Sequence, residues 1–132
     1  MKLKREDGAV AVEFALVLPI LIVLVFGIIE FGFALYNKEV ITNASREAAR
    51  AGIVQAPKLT DTDIQNVAKD YLAAAGWDKT KADIDVTGAG GSFPSSLTVT
   101  VNYPYSFSVL PNFIAGISKD ITLSATTVMK HE

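Results

Sequence analysis

The residue with the plainest chemical consequence in this 132-residue chain is Glu13, the only ionisable side chain between Gly8 and Ile29. A carboxylate set in an aliphatic run is costly to desolvate unless a cation or hydrogen-bond donors meet it, so an acid there calls for a partner. Five residues earlier stands Gly8, which closes the polar stretch MKLKRED, and Phe14 follows Glu13 directly. Glycine gives a side-chain-free position that extends readily, which is what a protease needs at a scissile bond. Elsewhere the pattern argues against an enzyme. His131 is the single histidine and stands next to the last residue, on an end expected to fray, a poor base for a triad, a general base or a metal cluster. Asp61 with Asp63, and Asp83 with Asp85, are acid pairs without an EF-hand pattern, and they read as helix-start and strand-edge acids. The glycines from 88 to 91 lack the strand-turn-helix setting of a phosphate-binding loop. Asn43-Ala44-Ser45 matches a glycosylation triplet formally but falls on a predicted helix. No cysteine is present, which excludes disulfides and thiolate chemistry. The net charge of -2 offers no basic excess for a phosphate backbone, so nucleic acid is not an expected partner. The reading is a chain with no catalytic residue, no cofactor and no metal site.

The element that positions Glu13 is a membrane span. Fifteen of the positions from Val10 to Ile29 are Leu, Ile, Val or Phe, each favouring insertion by roughly 0.3 to 0.6 kcal/mol near the bilayer centre. One acid, at about 3 kcal/mol, does not cancel that. About 20 residues cross a hydrocarbon core, so residues 9–30 are assigned as a transmembrane helix and membrane lipid as a partner. Pro19 lacks a backbone donor and is expected to kink this helix, a break that membrane helices tolerate. Lys2, Lys4 and Arg5 precede the span and only Lys38 closely follows it. The positive-inside rule then puts the N-terminus in the cytoplasm and the bulk of the chain outside. Gly32 and Ala34 imitate a signal-peptidase site, but after too long an apolar core.

In detail, Gly8, then AVAV, then Glu13-Phe14 and the apolar run resemble the class III signal of type IV pilins, and GAVAVEFALVLPILIVLVFGIIEFGFALYNKEVITNASREAARAG resembles the TadE-like family of Flp/Tad, or tight-adherence, pili. The resemblance is strongest over residues 8–52. It implies a leader, residues 1–8, removed between Gly8 and Ala9 by a prepilin peptidase at the cytoplasmic face. It implies further that Glu13, with Phe14 beside it, meets the terminal amine of a neighbouring subunit and sets axial register. The leader carries a net +1, so the mature chain would carry -3. The partners implied are the peptidase, other TadE-like or Flp pilins, and an inner-membrane assembly platform. The same residues admit a plainer reading, with Glu13 an acid at the membrane border and Gly8 an ordinary break. Flp major pilins favour Glu-Tyr and are very short, whereas this chain has Glu-Phe and a sizeable C-terminal region, which points to a minor or accessory subunit.

Beyond the span, Phe33, Tyr36, Val40, Ile41, Ala44, Ala48 and Ala51 recur at helical spacing, so residues 31–52 are expected to continue the helix outside the membrane until Gly52 stops it. A helix from Ala9 to Ala51 would run about 65 Å, roughly twice the hydrocarbon thickness. A second helix is expected from Asp61 to Ala75, capped by Thr60 or Thr62 and ended by Gly76, with Trp77 anchoring its end. Alternation predicts strands over 82–86, 97–107 and 121–129, with an edge or bend at Pro104. The apolar stretch from Leu110 to Ile117 offers a contact for another subunit or a cap for the head's own core. The fold class expected is α+β and pilin-like: a long N-terminal transmembrane and stalk helix, a second short helix, and an antiparallel sheet of about three strands in a head formed by residues 53–132. The functional expectation is a single-pass protein of the bacterial inner membrane that becomes part of an extracellular filament, as a homo- or hetero-oligomer. The alternative is an uncleaved, membrane-anchored periplasmic scaffold or binding module.

Overall fold

The structure, a computed structural model, describes residues 3–54, 57–109 and 120–132, with side chains from Glu6 onward. The chain is α+β. Helix α1 runs Leu3–Ile53 and α2 Asp61–Ala74. A single 3-10 turn at Lys79–Lys81 leads into strands β1 (Asp83–Thr87), β2 (Ser96–Tyr105) and β3 (Ile121–Lys130). Residues cluster into two compact units, one of residues 1–33 and 107–119, the other of residues 34–106 and 120–132.

In the first unit α1 presents apolar side chains outward. Val10, Val12, Phe14, Leu16, Ile20, Leu24 and Ile28 are all exposed, and none of the most apolar stretch is buried. A helix that serves as the core of a water-soluble fold hides such residues, so this is a single helix suited to cross a membrane. It starts at Leu3, earlier than the expected start at Ala9, and passes through Gly8 without a break. Lys, Arg and Glu are good helix formers, and one glycine inside a helix costs only about 1 kcal/mol.

The second unit is the head. The sheet is a simple antiparallel meander in the order β1-β2-β3. Buried Leu97, Val99 and Val101 of β2 alternate with the more exposed Thr98, Thr100 and Asn102, so one face packs and the other meets solvent. Ile41, Ala44, Ala48 and Ala49 of α1 join Ile64, Ala68 and Leu72 of α2 in the core against that face. Ser45, the last residue of the formal glycosylation triplet, is buried there and its hydroxyl meets Thr127 Oγ1 at 2.7 Å.

Gly52 does not stop α1, which continues to Ile53. Its reason is contact: a Cβ there would lie 2.5 Å from Leu97 Cδ2 and 2.7 Å from Ile64 Cδ1. The α2 ends follow the sequence closely. Thr60 and Asp63 form a capping box, in which the Thr60 amide donates to the Asp63 carboxylate at 2.9 Å and the Asp63 amide to Thr60 Oγ1 at 3.3 Å. At the other end Trp77 N donates to Leu72 O and Gly76 N to Ala73 O, each at 3.0 Å, with Gly76 at φ 84°. This is the paired closure of a left-handed helix exit. Trp77 then packs at a tilt of 51° on Tyr103, with ring centroids 4.6 Å apart, which anchors the end of α2 in the head.

Ladder parity explains Pro104. The His131 amide donates to Ser95 O at 3.0 Å, extending the β2–β3 register by one pair. Odd residues of β2 therefore bond to β3 and even ones turn toward β1. β1 pairs only as far as Asn102, so the proline nitrogen points where no strand follows and no ladder bond is lost. β2 is the central strand, yet at Pro104 it is locally an edge. By the same parity the carbonyls of Ile84 and Ser124 face outward from the two rims. Gln65 Nε2 donates to the first at 3.0 Å and Lys38 Nζ to the second. Helix side chains thus blunt both edges.

Candidate assembly site on the N-terminal helix

Gly8, Ala9, Glu13, Phe14 and Pro19 all lie on α1, and all are exposed. Ala9 and Glu13 are four residues apart, hence on the same face and about 6 Å apart along the axis. Phe14 projects from the adjoining face at 62 % exposure. Among the described residues Glu13 has no hydrogen bond or ion pair. Among the described residues the arrangement offers an unmatched acid on an apolar rod, with neither a nucleophile nor a base beside it. Such a group is suited to pairing with a cation brought by another molecule. Nothing lies within 4 Å of a Cβ built on Gly8, so packing inside the chain does not require glycine there. Pro19 sits inside the continuous helix more than a turn beyond Glu13.

A second acid on α1 escaped the sequence analysis. Glu30 closes the apolar span and is only 2 % exposed. Its Oε1 accepts the Ser108 amide at 3.1 Å and its Oε2 the Val109 amide at 2.7 Å. Both oxygens of the carboxyl are thus spent on backbone donors. The sequence signal was a lone acid at the far end of an apolar run. Its donors lie nearly eighty residues away and belong to the backbone, which no residue pattern reveals.

His131 corrects another expectation. The end of the chain is tied down: His131 is 3 % exposed, its Nε2 lies 2.8 Å from Gly88 O, and the Glu132 amide reaches Ile53 O at 3.5 Å. The histidine holds the glycine-containing loop after β1. Gly88 has φ 90°, and a Cβ there would collide with Ser96 O. Lys58 Nζ holds the same loop through Gly90 O at 3.1 Å and Ser92 Oγ at 2.9 Å. Among the acid pairs, Asp63 is spent on the α2 cap, and its hydrogen bonds with Thr60 lower its carboxyl pKa. Asp83 and Asp85 are exposed on β1. An open cleft of about 440 Å³ in the head, lined by Tyr36, Glu39, Asn43 and Tyr71 among others, brings one acid and no base. The apolar stretch from Leu110 to Ile117 lies outside the described residues.

No curated protein and no solved structure gives a match to the chain. One family model does, over residues 8–50, the part that carries Gly8, Glu13 and the span. That family is described as TadE-like protein, and the N-terminal third of this chain is accordingly TadE-like.

Proposed function

We propose that the chain is a minor, pilin-like structural subunit of a Flp/Tad type IV pilus. In this reading a prepilin peptidase removes residues 1–8, the N-terminus having faced the cytoplasm. The mature chain is drawn from the inner membrane by an assembly platform and packed beside other TadE-like or Flp pilins. Residues 9–30 are the membrane helix, 31–52 its outer continuation and 53–132 the head. The observation that carries the reading is the isolated Glu13 on an exposed apolar helix, one turn beyond Ala9, in a segment that matches the TadE-like family. Cleavage after Gly8 would create an ammonium on Ala9. In a bundle of such helices the acid of one subunit and the amine of the next satisfy each other's charge, and this fixes axial position more than it adds stability.

Continuity of α1 through Gly8 favours the alternative of an uncleaved membrane-anchored scaffold or binding module, because a peptidase must first unwind that turn. Glycine makes the unwinding cheapest at this point. Intact mass of the chain from membranes containing an active prepilin peptidase separates the two. Loss of residues 1–8 supports the pilin reading, and a stable full-length chain overturns it. Gly8→Leu is expected to block processing. Glu13→Ala is expected to be processed normally yet enter filaments poorly, and wild-type incorporation of that variant would remove the role given to the acid.

A further inference from the structure

Glu30 solves a problem that the lipid environment poses. Non-helical backbone near a bilayer core needs every N–H satisfied, because lipid offers no acceptor. The segment just after β2, Phe107–Val109, is non-helical, and the amides of Ser108 and Val109 end on the Glu30 carboxylate at 3.1 and 2.7 Å. A carboxylate at the end of an apolar span is equally costly if it stands alone. Here each costly group satisfies the other. The shielding extends along the same helix face: Ile22, Val23, Phe26 and Gly27, one and two turns before Glu30, are half-buried, while the other faces of the span are exposed. Residues 107–109 belong to the same compact unit as the span and not to that of the head. The residues that follow Val109 in sequence, LPNFIAGI, carry no charge. Phe31 and Phe33 follow Glu30 and are exposed, as aromatics at a membrane interface are.

We propose that this protein touches the membrane twice: the segment Phe107–Val109 is held at the lipid interface beside the outer end of the span, and Glu30 is the positioning residue that holds it there. The partner is the headgroup and acyl boundary of the bilayer. The proposal rests on reading α1 as a membrane span, and it is independent of leader removal and of filament assembly.

The chain contains no cysteine, so single nitroxide labels can be placed without background. The full chain in phosphatidylglycerol-containing vesicles is labelled at Ser108→Cys, with Ile20→Cys in the span and Asp83→Cys on the head as references. Collision with oxygen reports lipid, and collision with a water-soluble nickel chelate reports solvent. The label at residue 108 is expected to be lipid-accessible and protected from the chelate. In a Glu30→Ala background that protection is expected to fall to the value at residue 83, while residue 20 is unchanged and the Val99 amide stays protected from exchange. Glu30→Gln, which keeps one acceptor oxygen, is expected to lose part of the protection. A residue 108 as wet as residue 83 with Glu30 intact overturns the proposal, and so does a residue 108 shielded from both probes, which would mean protein contact. Protection that survives Glu30→Ala refutes the role of the acid. A residue 20 outside lipid would instead refute the span itself.

Discussion

The two halves of α1 are equally helical and both carry apolar side chains, yet those side chains meet opposite fates. From Val10 to Ile29 the large apolar residues are exposed on most faces, whereas from Val40 to Gly52 the apolar residues turned into the head are mostly small, Val40 and Ile41 excepted. Size is the telling difference. The first half uses Leu, Ile, Val and Phe, which suit contact with lipid or with other long helices. The second uses Ala44, Ala48, Ala49 and Gly52, which let a helix backbone come close to α2 and the sheet. One continuous helix therefore serves two solvents, and substitutions of the same kind should give different results in its two halves.

The largest contrast concerns cavities. Leu97→Ala empties a fully buried position and should lower head stability by about 2–5 kcal/mol. Leu16→Ala, at a position 70 % exposed, should leave the head unchanged. Trp77, the single tryptophan, packs on Tyr103 and reports head unfolding alone, so its fluorescence during thermal denaturation in detergent measures both. Equal shifts for the two variants would break the distinction between the halves. The next contrast is a single methyl group. Gly52→Ala places a Cβ 2.5 Å from Leu97 Cδ2 and should cost about 1–3 kcal/mol of overpacking. Gly27→Ala meets nothing within 4 Å and should only favour the helix. If Gly52→Ala melts at the wild-type temperature, the close approach of α1 to the head is not needed.

What could be read in the residues alone followed the range of the interactions. The apolar run, the Thr60 cap, the Gly76 exit and three alternating strands are local patterns, and the structure has the second helix and the strands within a residue or two of their expected bounds. The role of Gly52 was misread because a stop signal and a close-contact glycine look alike until Leu97, forty-five positions away, is in place. The start of α1 was set too late because the leader's Lys, Arg and Glu are helix formers, and one glycine does not end a helix. Glu30 and His131 depend on backbone groups brought from afar, the amides of Ser108 and Val109 and the carbonyl of Gly88. Side-chain type alone left the first unnoticed and marked the second as part of a fraying end. The candidate residues on α1 stand out by composition and spacing alone, since Glu13 is the one ionisable side chain between Gly8 and Ile29.

A smaller test asks whether the head holds its own local closures whatever the span does. Thr60→Ala removes the hydroxyl half of the capping box and should cost about 1 kcal/mol, read from the same fluorescence melt. The helical signal of the full chain at low temperature should barely change, because α1 dominates it.

The smallest effect is expected in acid. Hydrogen bonds from Thr60 lower the Asp63 carboxyl pKa, and those from Thr80 lower that of Asp78. A group whose folded pKa lies below its unfolded value adds stability above the unfolded pKa, about 3.9 for Asp, and loses it as pH falls through the folded value. Head stability should therefore be level through neutral pH and decline below about pH 4. Both acids are fully exposed, so the decline should be shallow and weaker still in high salt. Replacing both by Asn should flatten that limb at the cost of a lower plateau, because Asn caps less well than a carboxylate that completes a box. An acid limb that persists undiminished in the double variant would place the titrating groups elsewhere.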